Sequence, residues 1–152
     1  MPAFHAHSTR WTLFNTLACA LEGAPELQGV PVRRNPTSAI AVKNGDYLVV
    51  VRWNADTLVD APGGKERRQF RLLVGSIANT READADADAL HQVVGEVARQ
   101  AIVALNSTVH KVRPVEREIT PDLENLLIEG ALVLSVWEIE YERPRTIFQS
   151  HP

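Results

Sequence analysis

DADADALHQVVGEVARQAIVALN, residues 84–106, carries the clearest structural signal in the chain. Its apolar residues recur every three or four positions, a spacing that predicts an amphipathic α-helix. Acidic residues at its start favour the helix dipole, and Glu96, Arg99 and Gln100 face away from the apolar side. The segment therefore predicts a long helix lying on a sheet, with an apolar stripe made of Leu90, Val94, Val97, Ala101 and Leu105, flanked by Val93, Ala98 and Ile102.

Short apolar runs before this helix predict three strands. Residues 39–42 form the first run, and Asn44-Gly45, a strong two-residue hairpin signal, separates it from the second run at 47–53. These two runs predict an antiparallel hairpin. A third strand is expected at 70–77, after a polar stretch, residues 54–68, that is predicted to be a long loop.

The chain after the helix predicts one or two further strands. Residues 131–141 are expected to form the last strand, because their end alternates between two faces. Large apolar side chains lie on one face and carboxylates on the other: Trp137, Ile139 and Tyr141 against Glu138, Glu140 and Glu142. A strand is also expected at 109–115 and a turn at 120–125, and the tail 144–152 is expected to be flexible.

Ser8 is a favourable N-cap for a first helix over about 8–22. Cys19 falls inside the apolar pattern of this helix and is interpreted as a small core residue. The segment that follows, up to Pro36, is predicted to be an irregular connection. Strands joined mostly by hairpins, with two helices segregated to one face, predict one α+β two-layer domain over residues 1–143 with a mainly antiparallel sheet of four to five strands.

The composition is that of an ordinary globular chain. Of 152 residues, 45% are apolar and 23% charged, so one packed core is expected. The net charge of −3 provides no basic field for collecting nucleic acid. No uncharged run approaches the ~20 residues that span a bilayer, so no membrane contact is predicted. A single cysteine suits a reducing cytoplasm.

The sequence contains no motif typical of a metal site, a phosphate-binding loop or a catalytic nucleophile. A calcium loop starting at Asp84 would need glycine at Ala89 and glutamate at Gly95. The five histidines have no zinc-ligand spacing, residues 63–65 lack the rest of a phosphate loop, and no serine stands in a nucleophile elbow. No metal, cofactor or catalytic residue is predicted, and the chain is not expected to be an enzyme.

Two polar surfaces are candidates for contacts with partners. The predicted loop is either a solvated hairpin tip or a contact loop, and its candidate contact residues are Asp56, Asp60, Lys65, Arg67 and Arg68. The acidic face is either a solvated strand face or the lining of a ring channel, where like charge keeps DNA phosphates from adhering, and its residues are Glu138, Glu140 and Glu142.

The order of these segments resembles the tail terminator proteins of long-tailed bacteriophages, the family of minor tail protein U. The resemblance rests on the first helix, the strand TSAIAV (37–42) after a proline-rich connection, the strand RRQFRLLVGSIANT (67–80), the helix DADALHQVVGEVARQAIVAL (86–105) and the final strand GALVLSVWEIEYE (130–142). The segment VHKVRPVEREITPDLENLL (109–127) is longer than the family pattern.

The resemblance implies a homohexameric ring that caps the tail tube, stops its polymerisation and presents the surface that joins the head. The implied partners are other copies of this chain, the major tail tube protein, a head-tail connector protein, and DNA that passes through the channel without specific binding. The implied location is the tail of the virion, assembled in the cytoplasm of the host bacterium. The alternatives are another head-tail joining or tail completion protein, a related secretion-tube component, and a small enzyme or ligand-binding α+β domain.

Overall fold

The computed structural model describes residues 8–36, 41–105, 113–118 and 130–144, which contain two α-helices and five strands. In chain order these are α1 (Thr9–Gly23), β1 (Val32–Arg34), β2 (Tyr47–Asp60), β3 (Lys65–Ala78), α2 (Ala83–Leu105), β4 (Arg113–Glu118) and β5 (Ala131–Pro144). A short 3₁₀ turn follows α1 at Pro25–Leu27, and another separates β2 from β3 at Pro62–Gly64.

The strands form one open sheet in the order β1-β2-β3-β5-β4. β1 and β2 run parallel, and the other neighbouring strands are antiparallel. Both helices pack on one side of the sheet, the inner face, where helix and strand side chains share one apolar core. The predicted α+β two-layer fold with two helices on one face is therefore confirmed.

The two helices lie where the sequence predicts them. The Ser8 hydroxyl accepts a hydrogen bond from the Trp11 backbone N–H at 3.2 Å, so Ser8 caps α1 as expected. In α2 the inner stripe is buried at Val94, Ala98 and Ile102. Both helices are held to the sheet by apolar side chains at helical spacing, which is the feature that made them recognisable.

Cys19 is exposed, so its interpretation as a core residue is wrong. It lies about 100° around α1 from the fully buried Ala18, which carries it past the edge of the apolar stripe. Arg34 of β1 reaches this edge, and its guanidinium donates to the Cys19 sulfur at 3.3 Å and to Glu22 at 2.7 Å. The hydrogen bond to Glu22 outweighs partial burial and raises the pKa of Arg34. These contacts tie β1 to α1.

The prediction of a strand at 39–42 is wrong for its described part, because Ala41 and Val42 lie outside any strand. Residues 39 and 40 lie outside the described residues. The Asn44-Gly45 turn does form and is closed by a 3.0 Å hydrogen bond from the Asp46 N–H to the Lys43 carbonyl, but it does not join two paired strands. The parallel partner of β2 is β1, inside the segment predicted to be irregular. A three-residue strand is too short to show an alternating pattern.

The long loop predicted at 54–68 is also wrong. β2 continues to Asp60 and β3 begins at Lys65, so the turn is confined to a few residues in which Gly63 and Gly64 adopt positive φ angles of 56° and 82°. Register shifts interrupt the pairing between Trp53 and Ala55 and between Leu58 and Asp60. The inner face of this stretch carries ion pairs instead of apolar side chains, so the apolar alternation that marks a strand is missing from its sequence.

The last strand follows its prediction closely. Trp137, Ile139 and Tyr141 are buried on the inner face, and β5 extends three residues beyond the expected end. β4 overlaps the end of the strand expected at 109–115, and it pairs antiparallel with β5. The predicted turn at 120–125 and residues 145–152 of the predicted tail lie outside the described residues.

Candidate functional site

The distal half of the β2–β3 hairpin, residues 55–68, is the most distinctive surface of the molecule and is called the arm. β2 and β3 have 14 residues each, about 46 Å when extended, whereas the 15 residues of α1 span about 22 Å. β5 accompanies β3 along its whole length, down to the pairing of Pro144 with Lys65. The arm is thus part of a three-stranded ribbon, which is more stable than an isolated hairpin.

A buried ion cluster fills the inner face of the arm. The Asp56 carboxylate accepts hydrogen bonds from the Tyr141 hydroxyl at 2.7 Å and from Arg68 Nε at 3.1 Å. Glu66 accepts from Arg68 Nη1 at 3.2 Å and from Arg143 Nε at 2.7 Å. The side chains of Asp56 and Glu66 are only 2% and 5% exposed. Carboxylates so deeply buried must be paired and hydrogen-bonded, and these are.

The start of α1 is attached to the same cluster. Arg10 Nη1 lies 3.6 Å from Asp56, and its guanidinium carbon lies 5.1 Å from the centre of the Trp53 ring, a cation–π contact. The Trp53 ring packs in turn against Phe14 of α1 and Phe70 of β3, at ring-centre distances of 5.8 and 5.3 Å. The root of the arm is therefore fixed to the helical layer by charge on one side and by aromatic packing on the other.

The protonation of the cluster follows from its geometry. Burial raises the pKa of the Tyr141 hydroxyl above its ordinary value of about 10, and the neighbouring Asp56 carboxylate raises it further. Burial by itself disfavours the Arg68 cation, but the hydrogen bonds and charge of Asp56 outweigh it, so the pKa of Arg68 is raised. Tyr141 is thus a neutral donor and Arg68 a permanent cation at physiological pH.

The cluster separates the five predicted contact residues into two groups. Asp56 and Arg68 point to the inner face and form an ion pair with each other, so they are not available to a partner. Asp60 and Arg67 pair with each other on the outer face, and Lys65 is exposed beside the turn. The sequence could not distinguish these groups, because inner and outer residues of the arm are equally polar.

An apolar pair that the sequence reasoning missed stands at the end of the arm. Leu58 and Val59 are 53% and 48% exposed, and they belong to a small set of large apolar residues that the described part of the chain leaves in solvent. Their signal was visible as two adjacent aliphatic residues inside a polar stretch. Together with the turn at Pro62–Gly64 they form the tip of the arm.

The predicted acidic face lies on the outer side of β5 and is partly neutralised. Glu138 is buried and accepts hydrogen bonds or ion pairs from Arg71 at 3.1 Å and from Gln69 at 3.3 Å, both on β3. Glu140 and Glu142 are half-exposed and stand opposite Gln69 and Arg67 in the sheet register. In the register with β4, Glu140 also stands opposite Arg113, so the outer face of β5 carries basic as well as acidic residues.

A buried histidine joins α2 to the sheet. The two ring nitrogens of His91 lie 2.8 Å from the Ser76 hydroxyl and 3.1 Å from the Ser135 hydroxyl. Both hydroxyls are fully buried, so no substrate can reach them, and the arrangement serves as a polar tie between α2, β3 and β5.

The opposite end of β2 borders a shallow recess of about 290 Å³. Val42 and Leu48 form a buried apolar floor with the half-buried Tyr47, while charged residues stand on the rim. The residues that line it are Pro31, Arg33, Ala41, Val42, Lys43, Asp46, Tyr47 and Leu48. It contains no arrangement of an acid, a base and a nucleophile that would indicate catalysis.

Among the described residues, no three histidine, cysteine or acidic side chains converge as metal ligands. Asp86, in the aspartate-rich start of α2, accepts a 2.5 Å hydrogen bond from the Thr80 hydroxyl. No helix in the described ranges has both the length and the apolar character to cross a membrane.

Comparison with known proteins gives no family for this chain. No family model matches it, and no curated protein matches it in sequence.

Proposed function

We propose that this protein is a ring-forming terminator of a phage or prophage tail, which caps the tail tube, stops its polymerisation and offers a surface for head joining. The single observation that carries the proposal is the arm, a three-stranded ribbon with buried ion pairs on its inner face and exposed Leu58 and Val59 near its turn. Tail termination requires surfaces for copies of the same chain and for a tube, and it requires no bond to be made or broken.

The construction of the arm supports a contact role. Internal ion pairs and aromatic packing fix its root, so a partner that binds its tip does not have to meet the entropic cost of ordering a loose loop. Leu58 and Val59 near its end are about half exposed, and covering their apolar side chains by another protein would favour association. The open sheet and the arm give each subunit two different surfaces, as a closed ring of identical subunits needs.

The partners follow from this role. Copies of the chain form the ring, and the resemblance to tail terminators implies six subunits. The major tail tube protein and a head-tail connector bind its two faces, and DNA passes through the centre.

The experiment tests first whether the chain assembles into a ring and then whether that ring caps tail tubes. The purified chain is examined by native mass spectrometry and electron microscopy, and is then incubated with tail tubes assembled from the tube protein of the same genome. We expect a ring, predominantly of six subunits, and labelled rings bound at tube ends. In a reconstruction of the ring, Glu140 and Glu142 are expected to face the channel.

A matched pair of variants tests the arm. Replacing Leu58 and Val59 together by serine should reduce ring formation, whereas replacing the exposed Val103 of α2 by serine should not. A chain that remains monomeric at high concentration and binds no tube end would overturn the proposal.

A further inference from the structure

The tip of the arm and the recess at the other end of β2 have complementary properties. The tip presents two exposed aliphatic side chains, Leu58 and Val59, and the exposed Lys65 begins β3 directly after the turn. The recess has an apolar floor and exposed Arg33, Lys43 and Asp46 on its rim. Its 290 Å³ equals the volume of about ten water molecules, which is more than the side-chain carbons of one leucine and one valine require.

A single molecule cannot bring these two surfaces together. Leu48 borders the recess and Leu58 lies near the tip, ten residues later on the same strand, which separates them by about 33 Å. The strand between them is paired with β3 along its length, and at residues 49–51 also with β1, so it cannot fold back. Any contact between tip and recess must therefore join two chains.

We propose that the tip of one subunit, Leu58 and Val59, inserts into the recess of the next subunit between Val42, Tyr47 and Leu48. The contact joins unlike surfaces, so each subunit keeps a free tip and a free recess, and repetition closes a ring when the rotation between neighbours permits. Lys65, which follows the turn of the arm, faces Asp46 on the rim. This interface deepens the proposed function by naming the contact that builds the ring, and it rests on that function only for its biological purpose.

Cross-linking between two single-cysteine proteins tests the interface. In a Cys19→Ser background, Leu58→Cys and Ala41→Cys are made as separate proteins, mixed and treated with a short bismaleimide. A cross-linked dimer should form in the mixture at least tenfold faster than in either protein alone. The control pairs Leu58→Cys with Val103→Cys, which places the second thiol on α2, away from the recess.

Charge reversal provides a second readout. Asp46→Lys should weaken ring formation, and Lys65→Asp in the same chain should restore it, because the pair then has the opposite polarity. Rings that form normally with no tip-to-recess cross-link, and with no rescue by the double reversal, would overturn this interface while leaving tail termination intact. A chain that forms no ring and caps no tube, yet cross-links from tip to recess, would support the interface and overturn the proposed function.

Discussion

Removal of one charge from the buried cluster should destabilise the whole domain. In Asp56→Asn the side chain keeps its size, but Arg68 and Arg10 lose their buried counter-ion, and Arg68 is left with Glu66 as its remaining carboxylate partner. Breaking a buried ion pair by removing one member typically costs about 3–5 kcal/mol, because the other charge stays desolvated. The Asp56 side chain is 2% exposed, so solvent screening gives little relief, and we expect a loss of about 3 kcal/mol.

Urea unfolding followed by far-UV circular dichroism at pH 7 measures this loss. For a domain of this size about 3 kcal/mol corresponds to a decrease in Tm of roughly 6–12 °C. The matched control is Asp60→Asn, which breaks an ion pair with Arg67 whose two side chains are both more than 40% exposed. The control should change stability by no more than about 1 kcal/mol. Equal effects of the two substitutions, or a loss below about 1 kcal/mol for Asp56→Asn, would refute the view that the cluster fixes the arm.

Two further outcomes test other parts of the structure. Because the pKa of Tyr141 is raised, the Tyr141 hydroxyl loses its proton above pH 10 in the unfolded chain but keeps it in the folded chain. The contribution of this proton to the free energy of unfolding is therefore complete below pH 10 and falls by about 1.4 kcal/mol per pH unit above it. Tyr141→Phe should remove this pH dependence in urea unfolding experiments from pH 8 to 11, whereas the control Tyr47→Phe should keep it. Parallel stability curves for the wild-type protein and both variants would contradict a raised pKa for Tyr141. Gly130→Ala should cost about 3 kcal/mol or more, because φ is 98° there and a β-carbon would overlap the Ala78 carbonyl. Gly23→Ala, with open space around it, should be neutral or slightly stabilising, and equal Tm values for the two alanine variants would contradict the close approach at Gly130.

The sequence predicted those parts of the fold in which apolar spacing reports burial. α1, α2 and β5 each bury one stripe against a single core, so their periodicity matched their environment. The strands of the arm were predicted to be a loop because their inner residues are charged and are buried by pairing with one another, at Asp56, Glu66 and Arg68. A buried ion network looks like a solvated loop when the sequence alone is read, since partners from β2, β3 and β5 become neighbours only after the sheet forms.

The sequence singled out residues 54–68 as a polar segment without indicating how they fold. Residues 54–68 were expected to form a long loop, whereas most of them belong to β2 and β3. Their exposed side chains include Leu58, Val59 and Lys65, while Asp56 and Arg68 are held in internal ion pairs. Likewise the glutamate alternation located the outer face of β5, whereas the pairing of Glu138 with Arg71 depends on a strand register that no local pattern encodes.

The buried floor of the recess belongs to a small apolar cluster on the outer face of the sheet, which has a consequence for how the domain opens. Leu48, Val50 and Ile77 are buried on the outer face beside Val42, while Val49, Val51 and Val74 are buried on the inner face. Amide protons in the middle of β2 and β3 are therefore shielded from both sides, and they should exchange with deuterated water only when the entire chain unravels. Those of the arm, which has charged side chains above and below it, should exchange through smaller excursions, so one continuous hairpin would contain both the slowest and some of the faster amides of the sheet.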